Sequence, residues 1–145
     1  MKQNFKYLLF LPIIVIMLDQ LTKFLVISFM QPNQSIQIIP KIFHLTYVSN
    51  TGTFFGLIQG ANAFFIWFIL IILGLLLFFY DQFDNRESLV FALIIGAAIG
   101  NLIDRIVHGH VIDFLDFRIW PVFNVADAVV SLCVIILIVY LFKKR

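Results

Sequence analysis

The stretch VFNVADAVVSLCVIILIVYLF, residues 122–142, joins an apolar run of bilayer length to an aspartate, Asp127, near its start. A helix needs about 20 mostly apolar residues to cross a bilayer, so this stretch predicts a transmembrane span. An ionisable group in or beside a span is energetically costly, which makes Asp127 a candidate functional residue by default. The same holds for Asp113 in the apolar sequence VIDF, and two carboxylates at one site can share a proton and activate a water.

The composition excludes a soluble globular domain. Of the 145 residues, 62% are hydrophobic and only 12% are charged, and the mean hydropathy is +1.04. The apolar runs predict an all-α membrane protein that forms a single domain. The four predicted transmembrane helices cover residues 7–29, 61–80, 88–107 and 122–142.

The placement of basic residues predicts the orientation in the membrane. Basic residues precede the first span at Lys2 and Lys6, separate the second and third spans at Arg86, and close the chain at 143–145. Because a basic excess marks the cytoplasmic face, we expect both termini inside and the loops 30–60 and 108–121 outside. The first span lacks a signal-peptide cleavage site, so it is predicted to remain uncleaved. Topology also accounts for the basic tail without a nucleic-acid partner.

The first outer loop has the pattern of short strands. Residues 35–39 and 43–48 are rich in β-branched and aromatic side chains and are separated by Pro40. They predict a small β-sheet on the outer membrane surface, followed by a turn at 50–52.

Polar residues on three of the spans fall at one depth. At a rise of about 1.5 Å per residue, they lie roughly 20–29 Å from the cytoplasmic charges on each helix. Residues on α-helices at spacings of three and four share a face, so these polar groups should face the bundle interior and form a pocket that opens outward. The residues concerned are Asp19, Lys23, Asn101, Asp104, Arg105, Asn124 and Asp127.

Five blocks of this sequence resemble one known family. They are DQLTK (19–23), NTGTFFG (50–56), GNLIDR (100–105), GHVIDF (109–114) and FNVAD (123–127). Together, in this order, they closely resemble signal peptidase II, the bacterial prolipoprotein signal peptidase, which is an intramembrane aspartic protease. The resemblance covers nearly the whole chain.

The resemblance implies a specific reaction. The family uses two aspartates, here Asp113 and Asp127, to hydrolyse the peptide bond before the lipid-modified cysteine of a diacylglyceryl prolipoprotein. One aspartate is ionised and takes a proton from water, while the protonated one polarises the scissile carbonyl. Which of them starts protonated is open, because the pair titrates as a unit. No metal or organic cofactor is implied.

The resemblance also implies supporting roles and a location. Four residues match positions that line the family's site: Asn50, Asn101, Arg105 and Asn124. Asp19 and Lys23 match a block expected to brace the helices and the loop by ion pairing. The expected setting is the bacterial cytoplasmic membrane, among membrane lipids, with the site near the outer face and a monomer sufficient. Cyclic peptide inhibitors of the family are expected to bind through Asp113, Asp127 and Asn50.

Other interpretations remain for individual residues and for the whole chain. Asp104 is expected to be structural and Asp116 to be a solvated loop residue. His108 and His110 give only a weak metal signal, because no further His or Cys stands near them in the sequence. A small transporter or channel and a non-catalytic membrane scaffold are the alternative functions. The clustering of polar groups at one depth, rather than along a path across the membrane, argues against transport.

Overall fold

Four helices and a three-stranded sheet make up the part of the chain that the computed structural model describes, residues 4–52 and 61–144. The helices are α1 (Asn4–Phe29), α2 (Ala61–Phe79), α3 (Asn85–Val107) and α4 (Val125–Lys144), and a 3₁₀ turn (Tyr80–Gln82) follows α2. The strands are β1 (Ser35–Ile39), β2 (Phe43–Asn50) and β3 (Val111–Asp116). The predicted membrane-helix architecture with a small sheet is confirmed. Residues 53–60, which end the predicted outer loop and include part of the 50–56 block, lie outside the described residues.

All four helices are long and apolar enough to cross a membrane. Three of the helices begin three residues away from the predicted starts, and helix α1 begins at Asn4 rather than residue 7. Helix α3 begins at Asn85 rather than 88, because Asp84 and Glu87 form a capping box that starts the helix earlier. Helix α4 begins at Val125 rather than 122, because Phe123 still pairs with Leu115 in an isolated β-bridge.

Helix α3 is the centre of the bundle. Half of the membrane-spanning stretch of α3 is buried inside the protein, compared with 28% for α1 and 11% each for α2 and α4. Close packing of α1 on α3 depends on glycines at positions 96 and 100. A Cβ at Gly96 would lie 2.7 Å from the Pro12 Cα, and one at Gly100 would lie 2.6 Å from a carboxylate oxygen of Asp19. Small residues at this spacing let transmembrane helices approach each other closely.

The sheet covers one end of the bundle in the order β1-β2-β3, with both pairs antiparallel. The first two strands fall where the sequence predicted them. Strand β3 was not predicted, because nearly all of its residues are buried, so it lacks the alternation of a half-exposed strand. Tyr47, Ile112 and Phe114 pack against Val26 and Met30, and this small core fixes the sheet to the end of α1.

The outer faces of α2 and α4 are apolar and exposed. Phe64 and Trp67 on α2 are 65% and 67% exposed, and Leu132 and Ile135 on α4 are similarly open. Such faces suit a hydrocarbon solvent.

We predict that Gly96→Ala destabilises the protein while Gly74→Ala does not. The new methyl at position 96 would overlap the α1 backbone, and overpacking of this kind costs about 1–3 kcal/mol. At position 74 on α2, a Cβ meets nothing within 4 Å, so the substitution keeps the higher helix propensity of alanine. Thermal unfolding of both variants in the same detergent measures the difference. Equal melting temperatures would show that α1 and α3 are not in close contact at Gly96.

Candidate functional site

A buried ion cluster centred on Lys23 joins α1 to α3. The Lys23 Nζ lies 2.7 Å from Asp19 Oδ2 and 2.8 Å from Asp104 Oδ2, and it donates a hydrogen bond of 2.9 Å to Asn101 Oδ1. At most 1% of Lys23, Asp19 or Asp104 is exposed. An ammonium group has three N–H donors, and three acceptors surround this one. The predicted Asp19–Lys23 ion pair is therefore present, and Asp104 completes it as a structural residue.

The same two carboxylates also hold the backbone of the neighbouring elements. Asp19 Oδ1 accepts the Ala126 N–H at 3.0 Å, in the first turn of α4. Asp104 Oδ2 accepts the Ile112 N–H at 3.0 Å, at the start of β3. The ion cluster therefore positions the two segments that carry Asp127 and Asp113.

Two asparagine side chains connect the ion cluster to Asp113 and Asp127. Asn101 Nδ2 donates to Asp127 Oδ1 at 2.8 Å. Asn124 Nδ2 donates to Asp113 Oδ1 at 2.7 Å and to Asn101 Oδ1 at 3.1 Å. From strand β2, Asn50 Nδ2 donates to the other Asp113 oxygen at 2.8 Å. Each carboxylate is thus held by amide donors from other elements, and the structure brings all five side chains together.

Asn124 and Asp127 also begin helix α4. The Asp127 N–H donates to Asn124 Oδ1 at 2.9 Å, and the Asn124 N–H lies 3.4 Å from Asp127 Oδ2. This is the reciprocal pattern of a capping box, formed here by asparagine and aspartate. The cap places the Asp127 carboxyl group in the first turn of α4, at the positive end of the helix dipole. The helix start thereby fixes the Asp127 side chain relative to Asn124.

Asp113 lies in the middle of β3 and is 1% exposed. Burial raises the pKa of its carboxyl group to about 7, and the neighbouring Asp127 carboxylate adds to the rise, while hydrogen bonds from Asn50 and Asn124 oppose it. A carboxyl group with this pKa can hold a proton near neutral pH. Two carboxyl groups linked through Asn124, of which one can hold a proton, are a combination suited to general acid–base chemistry.

Arg105 lies beside this pair rather than bonded to it. Its Nη1 donates to Asn62 Oδ1 at 3.3 Å, and its guanidinium lies 4.5 Å from the centre of the Phe65 ring. Gly52, which has φ +76°, packs against Phe65 and Arg105. A Cβ at this position would lie 2.4 Å from the Phe65 ring and 3.1 Å from Arg105 Nη2. Arg105 therefore connects α2, α3 and the turn after β2.

Asp116 corrects one expectation. It was expected to be solvated, but it is only 4% exposed and accepts hydrogen bonds from Thr46 Oγ1 at 2.7 Å and Arg118 Nη1 at 3.0 Å. The error arose because the segment was interpreted as a loop, whereas strand β3 places Asp116 opposite His44 of β2.

The His108 and His110 rings lie 6.1 Å apart. Within residues 4–52 and 61–144, no three His, Cys, Asp or Glu side chains are grouped closely enough to hold a metal ion.

Sequence reasoning missed three residues that support the site. Gln20 donates to Asp104 Oδ1 at 2.8 Å, and Asn62 and Phe65 hold Arg105. Gln20 could have been found as a polar residue next to Asp19, and Asn62 as a polar residue at the start of an otherwise apolar span. Nothing in the sequence distinguishes Phe65 from the other phenylalanines of α2.

Comparisons with known proteins agree on one family. Residues 11–143 match the family model described as Signal peptidase (SPase) II. A lipoprotein signal peptidase of Halothermothrix orenii is 47% identical to this chain over 135 residues, which cover 92% of this chain and 93% of that protein. A lipoprotein signal peptidase of Moorella thermoacetica is 42% identical and covers 89% and 88% of the two chains.

Solved structures show the same architecture. A bacterial membrane enzyme determined by the in meso method at 1.9 Å superposes with a TM-score of 0.88 at 30% identity and covers 95% of this chain and 94% of its own. A second such structure, at 2.3 Å, has a TM-score of 0.85, also at 30% identity, and covers 94% and 88%.

We predict that Lys23→Met strongly destabilises the fold, whereas Arg118→Met does not. Without the ammonium, Asp19 and Asp104 would face each other in the interior with no cation bonded to either of them, a loss that costs about 3–5 kcal/mol. Arg118 also pairs with a buried carboxylate, but its own side chain is half exposed, so its removal should cost about 1 kcal/mol or less.

Thermal unfolding in detergent measures both variants. Equal, small shifts in melting temperature would show that the Lys23 cluster does not hold the bundle together.

Proposed function

This chain belongs to the signal peptidase II family, and we propose that it is an aspartic endopeptidase that removes the signal peptide of diacylglyceryl prolipoproteins. In this proposal Asp113 and Asp127 are the catalytic residues, and the bond cleaved is the one before the lipid-modified cysteine. The observation that carries the proposal is the bonding of Asn124 to both aspartates: it donates to Asp113 and accepts from the Asp127 N–H. Family membership supports a prolipoprotein as the substrate.

The proposed mechanism uses one proton shared by the two carboxyl groups. The ionised aspartate takes a proton from a water, whose oxygen attacks the scissile carbonyl carbon. The protonated aspartate donates a hydrogen bond to the carbonyl oxygen and stabilises the charge that develops there. Collapse of the tetrahedral intermediate breaks the C–N bond, and the leaving amine of the cysteine takes the proton. The products are a signal peptide with a new carboxyl group and a lipoprotein with a free N-terminal amine, and no cofactor takes part.

The supporting residues act by orientation. Asn50 and Asn124 each donate to one oxygen of Asp113, so rotation of that carboxyl group would break a hydrogen bond. Asn101 restrains Asp127 in the same way. Reacting groups held in a productive geometry avoid an entropic cost that freely rotating ones must overcome. The site can thus be preformed before substrate arrives.

The proposed orientation places the sheet and the aspartates at the outer face of the bacterial cytoplasmic membrane, with both termini inside. Arg86 and Lys143 lie at the ends of α3 and α4 remote from the sheet, which agrees with the positive-inside rule. A lipid-modified cysteine in the outer leaflet would present its peptide bond at the depth of Asp127. Because the proposed catalytic groups come from one chain, a single domain acting as a monomer is sufficient.

We predict that Asp113→Asn and Asp127→Asn each abolish cleavage while Asp116→Asn retains it. Either catalytic change removes the group that donates or accepts the proton, a loss of about 100-fold or more. Asp116 is the matched control, since it is also buried on β3 but bonds to Thr46 and Arg118, away from the pair.

The assay follows a purified diacylglyceryl prolipoprotein by mass spectrometry, with each variant checked for folding. Normal cleavage by the Asp113 or Asp127 variant would make these residues structural.

We also predict that kcat/KM falls above about pH 7. Since burial raises the pKa of Asp113 to about 7, the pair keeps its shared proton below that pH and loses it above. Without the proton both carboxylates are negative and no acid remains to polarise the carbonyl, so kcat/KM should drop about tenfold per pH unit. A rate profile from pH 5 to 9, with the folded fraction monitored, tests this. A flat profile up to pH 9 would contradict the shared-proton mechanism.

A further inference from the structure

A cavity of about 910 Å³ opens beside Asp127, on the surface of α4. One wall is the segment between β3 and α4, which contributes Phe117, Ile119 and Trp120. The other wall is the half of α4 nearest the sheet, from Asp127 to Ile135. We call this cavity the α4 groove.

The lining of the α4 groove suits a hydrocarbon chain. Of the described residues that line it, only Asp127 and Ser131 carry a carboxylate or hydroxyl group. The Ser131 hydroxyl donates to the Asp127 carbonyl oxygen at 2.8 Å, so its hydrogen bond is already made within the helix. On the α4 wall beyond Asp127, from Ala128 to Ile135, the groove therefore presents an apolar surface with no donor that an occupant must satisfy.

The groove is open to the side. Ile119 is 94% exposed, and Leu132 and Ile135 on the opposite wall are 60% and 57% exposed. In a membrane these side chains face lipid tails rather than water. An occupant can thus enter from the plane of the bilayer without leaving a hydrocarbon environment.

The length of the groove discriminates between the two apolar parts of the substrate, its acyl chains and its signal-peptide helix. From Asp127 to Ile135 it extends roughly 12 Å along α4, at 1.5 Å per residue. A leaflet's hydrocarbon layer is about 15 Å deep, half of the roughly 30 Å core that a signal-peptide helix must cross. The groove ends midway along α4 (Val125–Lys144), so it matches an acyl chain in one leaflet and is too short for a spanning helix.

We propose that the α4 groove binds an acyl chain of the substrate's diacylglyceryl-cysteine and thereby positions the scissile bond at Asp127. This inference rests on the proposed function. Because lipid tails are as apolar as the groove, the bound chain gains little from the hydrophobic effect. The groove acts instead by alignment: it holds the lipidated cysteine at a fixed distance from the carboxylates.

The test fills the groove at a position remote from the chemistry. Val134 lines the groove about two turns from Asp127 and is 43% exposed, so Val134→Trp can be accommodated at the surface. Ile138→Trp is the matched control, because Ile138 is 49% exposed on the same helix but does not line the groove. Both variants are compared with wild type on prolipoproteins carrying two palmitoyl chains or two hexanoyl chains.

The expected result depends on chain length. Val134→Trp should lower kcat/KM about tenfold for the dipalmitoyl substrate, since a misplaced scissile bond reacts much more slowly. The dihexanoyl substrate, whose chains are too short to reach Val134, should change by less than twofold, and Ile138→Trp should change neither.

An equal loss on both substrates would assign the groove to the signal peptide, and no loss on either would remove it from substrate binding. If wild type cleaves neither substrate, the proposed function itself fails, a result distinct from both.

Crosslinking gives a second readout that does not depend on the folding of a groove variant. A substrate with a photoreactive group midway along one acyl chain is irradiated with the Asp113→Asn protein, which is expected to leave it uncleaved. Label should appear within residues 128–135 of α4. Label confined to the exposed face of α2, at Phe64 and Trp67, would overturn the proposal.

Discussion

The fold depends on one buried cation, Lys23, held between the carboxylates of Asp19 and Asp104. An uncompensated charge inside a membrane bundle is strongly unfavourable, so the three groups are stable there only together. Their hydrogen bonds to the backbone extend the constraint, since Asp19 holds the first turn of α4 and Asp104 holds the start of β3. Four elements therefore meet at a fixed geometry around a single ammonium group.

This cation also determines the orientation of the amides at the proposed active site. Lys23 can only donate, so Asn101 must present its oxygen to it and its NH₂ group to Asp127. The same Asn101 oxygen accepts from Asn124, whose NH₂ group reaches Asp113. The direction of each hydrogen bond thus follows from the ion cluster, and the two carboxylates receive donors from amides that cannot flip without losing a bond. A structural ion pair in this way prepares the groups proposed to perform the chemistry.

Much of this arrangement could be predicted from the sequence because the membrane makes the pattern simple. Apolar runs of about 20 residues define the spans, and polar residues within them must face the bundle interior. The rise per residue then places Asp19, Lys23, Asn101 and Asp127 at one depth in the membrane. Strand β3 could not be predicted in this way. Its pairing with β2 is a contact between distant segments, and burial on both faces removes the alternation by which a strand is recognised. The error at Asp116 follows from that strand, which places Asp116 opposite His44.

In the proposed reaction Asp113 and Asp127 act on a water molecule, and neither attacks the substrate itself. A single turnover in H₂¹⁸O, with excess enzyme over diacylglyceryl prolipoprotein, distinguishes these two routes. Attack by water places one ¹⁸O atom in the new carboxyl group of the released signal peptide and none in either aspartate. A first-turnover product with ¹⁶O only would mean that an aspartate oxygen had formed the new bond, and it would exclude the proposed reaction.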